Sequence, residues 1–416
     1  MSKLLIEGGH PLCGVLKIQG AKNSILPIMA ATLVAQGECV IENCPDISDT
    51  HTALEILKTL GAQVKMFGDK VWVDCTNVID YEIPDALMRK MRSSIIFLGA
   101  VLTRRKKALL SFPGGCELGP RPIDLHLAAL EKLGVHISEE HGYLRCEAAR
   151  LKGAEIHLSF PSVGATENIM LASVQAEGRT VIENAAREPE IEDLQNFLNA
   201  MGADIRGAGS STIVIRGVES LHSVQHRVIP DRIVTATYIC AVAATRGNAL
   251  LKNVEPKHLS SVLSVLREAG CEIQEFDDMI SVACDRLQAV RLVRTMPYPG
   301  FPTDAQAPFM SLMCVASGST VFVETMFENR FKHIAELQRM GAKITTEGRV
   351  AVVEGVRRLS GASVDATDLR GGGALLIAAL AAEGETQIGR IEHIDRGYAA
   401  PEQVLGELGA KIVRIE

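Results

Sequence analysis

LEILKTLGAQV at residues 54–64 joins a leucine-rich helical run, a glycine and a short strand, and the chain contains six versions of it. The other copies are LAALEKLGVHI (127–137), LQNFLNAMGADI (194–205), LSVLREAGCEI (263–273), IAELQRMGAKI (334–344) and PEQVLGELGAKI (401–412). They recur at intervals of about 70 residues, which is the signature of an internal structural repeat. Each glycine stands where a helix ends and a left-handed residue is favoured. We therefore predict positive φ at Gly61, Gly134, Gly202, Gly270, Gly341 and Gly409.

Each repeat has the pattern strand, helix, strand, helix, strand, strand, which predicts an α/β protein. In the first copy we expect these elements near 15–19, 24–36, 38–42, 49–60, 62–66 and 70–74. The sixth copy ends one strand early, and KLLIEGG at 3–9 has the pattern of the missing strand. We therefore predict two three-repeat domains, 21–228 and 1–20 plus 229–416. A single long solenoid is the alternative, although the borrowed strand favours two closed domains.

The composition restricts the class of protein. The 416 residues carry 43 Lys and Arg against 50 Asp and Glu, a net charge of -7, and 4% are aromatic. This balance argues against a nucleic-acid-binding surface. The longest apolar run, 374–382, is too short to span a bilayer, and residues 1–20 lack the order of a signal peptide. Ten scattered cysteines without a CxxC pair predict reduced thiols in the cytoplasm and no metal site.

Polar residues gather where the first helix of each repeat begins. They are Lys22–Asn23, Arg92, Ser162 with Thr166, Asp231–Arg232, Asp304, and Asp368 with Arg370. Helix N-termini favour anions, so we expect these residues to line a cleft that suits phosphates and carboxylates. The structural alternative at single positions is that Asp304 is a helix cap and that Lys22 is a solvated charge. GGG at 371–373 lacks the GxGxxG pattern of a dinucleotide site.

The loop PGGCELGPRPIDLH at 113–126 surrounds Cys116 with glycine and proline. Such a composition suits a mobile lid over a ligand. An exposed cysteine in a cationic neighbourhood would be reactive, whereas a buried structural thiol is the default alternative. Further arginines, Arg121, Arg330 and Arg396 among them, precede the second helices of their repeats.

These motifs resemble those of the UDP-N-acetylglucosamine 1-carboxyvinyltransferase (enolpyruvyl transferase) family over essentially the whole chain. The resemblance is carried by GAKNS (20–24), the Cys116 loop, SVGATENIM (162–170), FPTDAQA (301–307), FENRFKHI (327–334), ATDLRGG (366–372) and HIDRGY (393–398). It implies two inside-out α/β barrels of three repeats each. It also implies transfer of the enolpyruvyl group of phosphoenolpyruvate to the 3′-hydroxyl of UDP-N-acetylglucosamine, with release of phosphate. That reaction is the first committed step of bacterial peptidoglycan synthesis, and it requires neither a metal nor a cofactor.

The resemblance also implies roles for individual residues. Cys116 matches a proton donor that can form a covalent adduct, and Asp304 matches the usual candidate base, with Lys22 and Arg396 beside the reacting groups. The residues matching the phosphoenolpyruvate site are Lys22, Asn23, Arg121 and Arg396. Those matching the sugar-nucleotide site are Arg92, Arg121, Pro122, Ile123, Asp124, Leu125, Pro161, Ser162, Val163, Gly164, Asp304 and Met326. Arg330, Asp368 and Arg370 match further residues of the cleft.

The chain departs from the family pattern in two places. Phe160 stands where many relatives have a lysine near the diphosphate, and Gly372 and Gly373 replace alanine or serine. Two other functions stay open at this point. One is 3-phosphoshikimate 1-carboxyvinyltransferase, which shares the repeats but lacks the Cys116 loop in this form. The other is a non-catalytic sugar-nucleotide sensor.

Overall fold

The computed structural model describes residues 2–114 and 123–416. The strands are β1 Lys3–Glu7, β2 Cys13–Lys17, β3 Glu38–Glu42, β4 Gln63–Phe67, β5 Lys70–Asp74, β6 Glu82–Ile83, β7 Lys107–Ser111, β8 His136–Glu140, β9 Tyr143–Glu147, β10 Glu155–His157, β11 Arg179–Glu183, β12 Asp204–Arg206, β13 Thr212–Arg216, β14 Gln225–Arg227, β15 Asn248–Lys252, β16 Glu272–Glu275, β17 Met279–Ala283, β18 Leu292–Arg294, β19 Ser319–Val323, β20 Lys343–Glu347, β21 Val350–Glu354, β22 Ser363–Asp365, β23 Glu385–Gly389 and β24 Lys411–Ile415.

The α-helices are α1 Lys22–Ala31, α2 Ser48–Thr59, α3 Asp85–Lys90, α4 Phe97–Arg105, α5 Asp124–Lys132, α6 Val163–Ser173, α7 Pro189–Ala200, α8 Arg232–Ala244, α9 Ser260–Glu268, α10 Thr303–Met313, α11 Ile334–Arg339, α12 Leu369–Ala381 and α13 Pro401–Glu407. Short 3₁₀ turns cover Thr32–Val34, Arg92–Ile96, Pro256–Leu259 and Ile391–His393. Every helix in the described ranges is too short or too polar to cross a membrane.

The strands of the described residues form six separate four-stranded sheets, one for each repeat. Each sheet contains one parallel pair and two antiparallel pairs, as in β10-β11-β13-β12. The predicted α/β class and sixfold repeat are therefore confirmed. The repeat glycines have φ values from +92° at Gly134 to +103° at Gly61, a region that a side chain disfavours.

The opening strand of the first repeat differs from the sequence prediction. The strand predicted at 15–19 is β2, and it pairs in parallel with β15 in the sheet of the fourth repeat. The first repeat instead receives β14, which pairs in parallel with β3. The prediction of 15–19 as the opening strand of the first repeat is therefore wrong. Periodicity identifies a strand, but equivalent strands of different repeats are equally good partners, so the path of the chain decides the pairing.

Strand β1 lies inside the sheet of the sixth repeat, between β23 and β24 and antiparallel to both. Its alternating Leu4 and Ile6 are fully buried, so the strand contributes to the core as well as to the hydrogen-bonded ladder. The described residues divide into two compact units. The first unit comprises 20–114 and 123–229, and the second unit comprises 2–19 and 230–416.

Apolar helices occupy the centre of each unit. In the second unit α8, α10 and α12 pack against one another, and in the first unit α4 packs against α1 and α6. Nearly all residues of α8 and α12 are buried, as expected for a helix that is apolar on every face. Polar residues therefore lie at the helix starts. Lys22, Arg232 and Asp304 all lie in first turns of these central helices.

Candidate active site

Asp304 lies in the first turn of α10, and its carboxylate is held between two buried arginines. Arg330 Nη2 donates to Asp304 Oδ1 at 2.9 Å, and Arg370 Nη2 donates to Asp304 Oδ2 at 3.1 Å. The arginine side chains are 2% and 3% exposed, whereas that of Asp304 is 29% exposed. The N-cap of α10 is Pro302, so the alternative that Asp304 is merely a helix cap is wrong. The arrangement presents a fixed, partly accessible carboxylate.

Arg370 is fixed from its other side by Tyr398. Arg370 Nη1 lies 3.5 Å from the Tyr398 hydroxyl, which is 3.1 Å from Thr237 Oγ1. Burial opposes the charge on Arg370, but Asp304 and Tyr398 raise the pKa of Arg370 above its ordinary value. A Cβ atom at Gly373 would overlap the Tyr398 hydroxyl. Glycine at this departure from the family pattern therefore leaves room for the hydroxyl beside the guanidinium.

Asp368 is the N-cap of α12 and accepts hydrogen bonds from the backbone N–H groups of Arg370 at 3.0 Å and Gly371 at 3.1 Å. Burial opposes its charge, but Arg330 and these donors hold the pKa of Asp368 below its usual range. Next to it lies His333, which is fully buried. Burial lowers the pKa of His333 to about 4, so this imidazole is neutral at pH 7. No sequence pattern singles out His333, although it lies within the FENRFKHI motif.

Glu324 is a second residue that the sequence analysis missed. Its buried carboxylate accepts from the backbone N–H groups of Met326 at 2.8 Å and Phe327 at 3.2 Å through Oε1. Its Oε2 accepts from Thr303 Oγ1 at 3.0 Å. Glu324 thereby joins the turn carrying Met326 to the residue before Asp304. A glutamate directly after the apolar strand β19 is the only signal for this role in the sequence.

Arg396 is half-buried in the segment that follows the last 3₁₀ turn. This segment is tied to the N-terminal part of the chain by Gln19. The Gln19 side chain donates to the Gly397 carbonyl at 3.1 Å and accepts from the Ala399 N–H at 2.9 Å. In the second unit the structure thus brings together Asp304, Arg330, Asp368 and Arg370, with Met326 and Arg396 on the adjoining segments.

In the first unit, Lys22 begins α1 and is buried. Its Nζ lies 3.0 Å from Asp49 Oδ2, which is also buried, on α2. Asn23 follows it and is partly exposed. The next residue, Ser24, donates to Asp193, whose carboxylate also accepts from the Ile229 N–H at 3.2 Å. The start of α1 is therefore anchored to α2, to α7 and to the end of the unit, and the alternative of a solvated Lys22 is wrong.

Asn168 connects three of the predicted segments. Its Nδ2 donates to the Ile95 carbonyl at 2.9 Å and to His126 Nδ1 at 2.7 Å, and its Oδ1 accepts from the Gly99 N–H at 2.7 Å. The 3₁₀ turn that begins at Arg92 and the helices α5 and α6 are therefore held in one hydrogen-bonded group. Asn168 and His126 are both buried, and the sequence alone predicts a role for neither.

The predicted sugar-nucleotide residues of the first unit surround this group. Ile123, Asp124 and Leu125 form the start of α5, and Pro161, Ser162, Val163 and Gly164 form the start of α6. A Cβ at Gly164 would lie 3.0 Å from His126 Cε1, so the two helix starts are in close contact. Arg92 Nη1 donates to the Pro113 carbonyl at 3.4 Å. Cys116, Arg121 and Pro122 lie outside the described residues.

We expect His126 to make the stability of the first unit depend on pH. Burial lowers the pKa of His126 to about 4 and Arg92 adds to this, whereas Asp124 opposes it. Between that value and the ordinary 6.5, the folded state binds fewer protons than the unfolded state. The neutral His126 therefore costs the folded state nothing above pH 6.5, and the free energy of unfolding decreases as the pH falls from 6.5 towards 4. One pKa unit corresponds to about 1.4 kcal/mol, so we expect a loss of about 2 kcal/mol between pH 7.5 and pH 5.

The measurement is urea unfolding at pH 7.5 and pH 5 for the wild type, His126→Gln and the control His136→Gln. His136 is exposed at the start of β8. We expect His126→Gln to lose about 2 kcal/mol less than the wild type on acidification, and His136→Gln to behave as the wild type. Equal pH dependence in all three proteins would show that His126 does not carry the effect.

Comparison with known proteins identifies the family. Residues 6–405 match the family model described as EPSP synthase (3-phosphoshikimate 1-carboxyvinyltransferase). Curated relatives match 99–100% of this chain at 47–55% identity. The chain belongs to the EPSP synthase family of enolpyruvyl transferases and, within it, to the UDP-N-acetylglucosamine 1-carboxyvinyltransferases.

Two curated relatives place it among these enzymes. The chain is 55% identical to UDP-N-acetylglucosamine 1-carboxyvinyltransferase 2 of Caldanaerobacter subterraneus subsp. tengcongensis, with 100% of both chains covered. It is 50% identical to UDP-N-acetylglucosamine 1-carboxyvinyltransferase 2 of Carboxydothermus hydrogenoformans, also over 100% of both.

Solved structures share the fold. The enolpyruvyl transferase NikO from Streptomyces tendae superimposes with a TM-score of 0.90 at 28% identity, covering 99% of this chain and 98% of that one. EPSP synthase from Acinetobacter baumannii gives a TM-score of 0.76 at 17% identity, covering 100% of both chains, which shows the fold alone.

Proposed function

We propose that the protein transfers the enolpyruvyl group of phosphoenolpyruvate to the 3′-hydroxyl of UDP-N-acetylglucosamine and releases phosphate. The structural observation that supports this most strongly is the partly exposed Asp304 carboxylate, held by Arg330 and Arg370 at a helix start. The named activity of the full-length relatives supports the choice of acceptor sugar. The step belongs to peptidoglycan synthesis, and we place the protein in the cytoplasm.

Phosphoenolpyruvate carries a carboxylate and a phosphate, so its binding needs several fixed cations. We assign this role to Lys22, Arg121 and Arg396, with Asn23 beside Lys22. Lys22 is suited to it because its ammonium is already oriented by Asp49. The sugar nucleotide is assigned to the starts of α5 and α6 and to Arg92. The two helix N-termini offer backbone N–H groups to the diphosphate. The exposed Phe160 adds no charge there.

Addition of a hydroxyl to the enol ether needs one proton removed from the hydroxyl and one delivered to the methylene carbon. We assign the first step to Asp304, and Arg330 and Arg370 orient its two oxygens. Those arginines favour the charged carboxylate, so Asp304 binds the hydroxyl as a hydrogen-bond acceptor and takes its proton as the C–O bond forms. Cys116 is assigned the delivery of the second proton. We also propose two domains, 21–228 and 1–20 plus 229–416, and the division of the described residues near residues 20 and 230 supports this proposal.

The acceptor sugar decides between the possible functions. Purified protein is incubated with phosphoenolpyruvate, and released phosphate is measured with UDP-N-acetylglucosamine, with shikimate 3-phosphate and without acceptor. We expect release only with UDP-N-acetylglucosamine. Equal turnover with shikimate 3-phosphate would contradict the proposal, and binding of UDP-N-acetylglucosamine without any phosphate release would identify a sensor instead.

A further inference from the structure

The hairpin of β16 and β17 places two cysteines opposite each other. The register pairs Glu272 with Ala283 and Ile273 with Val282. Continued by one residue beyond the open end of the hairpin, this register places Cys271 opposite Cys284. Both thiols are free. Opposite residues of an antiparallel register have their side chains on the same face, and Cys271 and Cys284 are both buried.

The hydrogen-bond pattern determines how close this pair is. The Phe276 N–H donates to the Met279 carbonyl at 2.9 Å, which marks the pair next to the turn as hydrogen-bonded. Hydrogen-bonded and non-hydrogen-bonded pairs alternate along an antiparallel ladder, so Cys271 and Cys284 form a non-hydrogen-bonded pair. Such pairs bring the Cα atoms to about 4.5 Å, within the range of about 4.4–6.8 Å that a disulfide requires.

Arg246 makes the two thiols unequal. Its Nη1 donates to Cys284 Sγ at 3.9 Å, and Arg246 itself is exposed. The hydrogen bond from Cys271 lowers the pKa of Cys284 to about 7; burial opposes this shift, and Arg246 supports it. The same hydrogen bond, together with burial, raises the pKa of Cys271. Because Arg246 contacts Cys284 and a neighbouring cation favours the reactive thiolate, we assign Cys284 as the nucleophilic thiol and Cys271 as its partner.

We propose that Cys271 and Cys284 are a redox site that a small hydroperoxide converts reversibly into a disulfide. The Cys284 thiolate attacks one peroxide oxygen, an S–O bond forms, the O–O bond breaks, and the leaving alkoxide or hydroxide takes a proton. Cys271 sulfur then attacks the sulfenic acid at Cys284. An S–S bond forms, the S–O bond breaks, and hydroxide leaves with the Cys271 proton as water. Two thiols lose two electrons, which the hydroperoxide gains.

The two thiols are buried, which restricts the size of the oxidant that reaches them. They also lie away from the residues assigned to the proposed active site. Cys271 is 5% exposed and Cys284 is 1% exposed, so hydrogen peroxide is favoured over bulky peroxides. No residue assigned to substrate binding or catalysis lies in the β16–β17 hairpin. The proposal therefore does not depend on the proposed function, and a dithiol should reverse the reaction.

Tryptic digestion tests the proposal directly, because cleavage after Arg267 and Arg286 leaves both cysteines in the one peptide 268–286. The full-length protein is treated with hydrogen peroxide, then denatured in the presence of iodoacetamide to alkylate the remaining thiols, and digested without reductant. We expect this peptide without alkyl groups and lighter by two hydrogen masses, and doubly alkylated after prior treatment with dithiothreitol. Oxidation of Met279 is distinguished because it adds an oxygen mass.

Variants provide the controls. Cys271→Ala and Cys284→Ala should abolish the lighter peptide, and Arg246→Gln should slow its formation several-fold. Cys146→Ala should have no effect, because Cys146 is a buried strand cysteine that faces Ala108 and Ile137 instead of another thiol. The proposal is overturned if peptide 268–286 stays doubly alkylated while other thiols of the wild-type chain are oxidised. Sulfinic acid at Cys284 without the disulfide would also overturn it.

Discussion

Replacing Asp304 by asparagine is expected to lower kcat by about 10²–10⁴-fold, the usual contribution of a general acid or base. The amide keeps the size of the side chain but cannot take the proton of the sugar hydroxyl. It also removes the negative charge between the buried guanidinium groups of Arg330 and Arg370. We expect only a small change in the Kd of UDP-N-acetylglucosamine, because most assigned sugar-nucleotide contacts lie elsewhere. Phosphate release and equilibrium binding measure the two quantities separately.

The matched control for this substitution is Asp85→Asn. Asp85 is also in the first turn of a helix and pairs with an arginine, Arg89 at 2.8 Å, but this pair is exposed and lies outside the proposed site. We expect Asp85→Asn to keep wild-type turnover. Breaking a buried charge cluster can cost about 3–5 kcal/mol, so unfolding of Asp304→Asn must be measured alongside. Near-wild-type kcat in a folded Asp304→Asn protein would refute the role of Asp304 as the base.

The repeat was predictable because its signals are local. A glycine that ends a helix and an apolar run of strand or helix period each occupy only a few consecutive residues, so the six copies are recognisable in the sequence itself. The positive φ at Gly61, Gly202 and Gly409 follows from that local pattern. The helix starts were predictable for the same reason, since Ser162, Asp231 and Asp368 are all side-chain N-caps.

Partners distant in the sequence were not predictable. β2 and β14 have the same strand pattern, and only the folded chain shows that β2 pairs with β15 and β14 with β3. Glu324, which orders the residues before Asp304, and Asn168, which joins α5 to α6, satisfy partners tens of residues away. A single buried amide or carboxylate produces no periodic pattern in the sequence. Its role depends on which backbone groups have no hydrogen-bond partner within the helices and sheets of the fold.

The placement of polar residues has a single physical cause in both units. Central helices such as α8 and α12 are surrounded by apolar side chains, so their free N–H groups can meet polar partners only at the helix start. Caps such as Asp231 satisfy some of these groups, and the partial positive charge that remains favours anions. Repetition of the unit copies this property six times. Substitution at these positions can then specialise each copy with a lysine, an arginine or a carboxylate.

Replacing Lys22 by glutamine is expected to raise the KM for phosphoenolpyruvate by about 10- to 100-fold, the equivalent of one charge-assisted hydrogen bond of about 1.5–3 kcal/mol. The side chain is buried at the start of α1, where a neutral amide cannot replace an ammonium facing a phosphate or carboxylate. We expect the KM for UDP-N-acetylglucosamine to change much less. Steady-state phosphate release, with each substrate varied in turn, measures both constants.

Asp49→Asn separates this binding role from a structural one. It breaks the same 3.0 Å ion pair but leaves the Lys22 ammonium in place. If Lys22 acts on phosphoenolpyruvate, Asp49→Asn should lose stability comparable to that lost by Lys22→Gln, while its KM for phosphoenolpyruvate rises only a few-fold. If the pair only stabilises the contact between α1 and α2, the two variants should have the same KM and the same loss of unfolding free energy. An equal increase of the KM for phosphoenolpyruvate in both variants would therefore exclude Lys22 from the proposed site. Asp49→Asn keeps the Lys22 ammonium and Lys22→Gln removes it, so an equal effect would come from the broken ion pair and not from the ammonium.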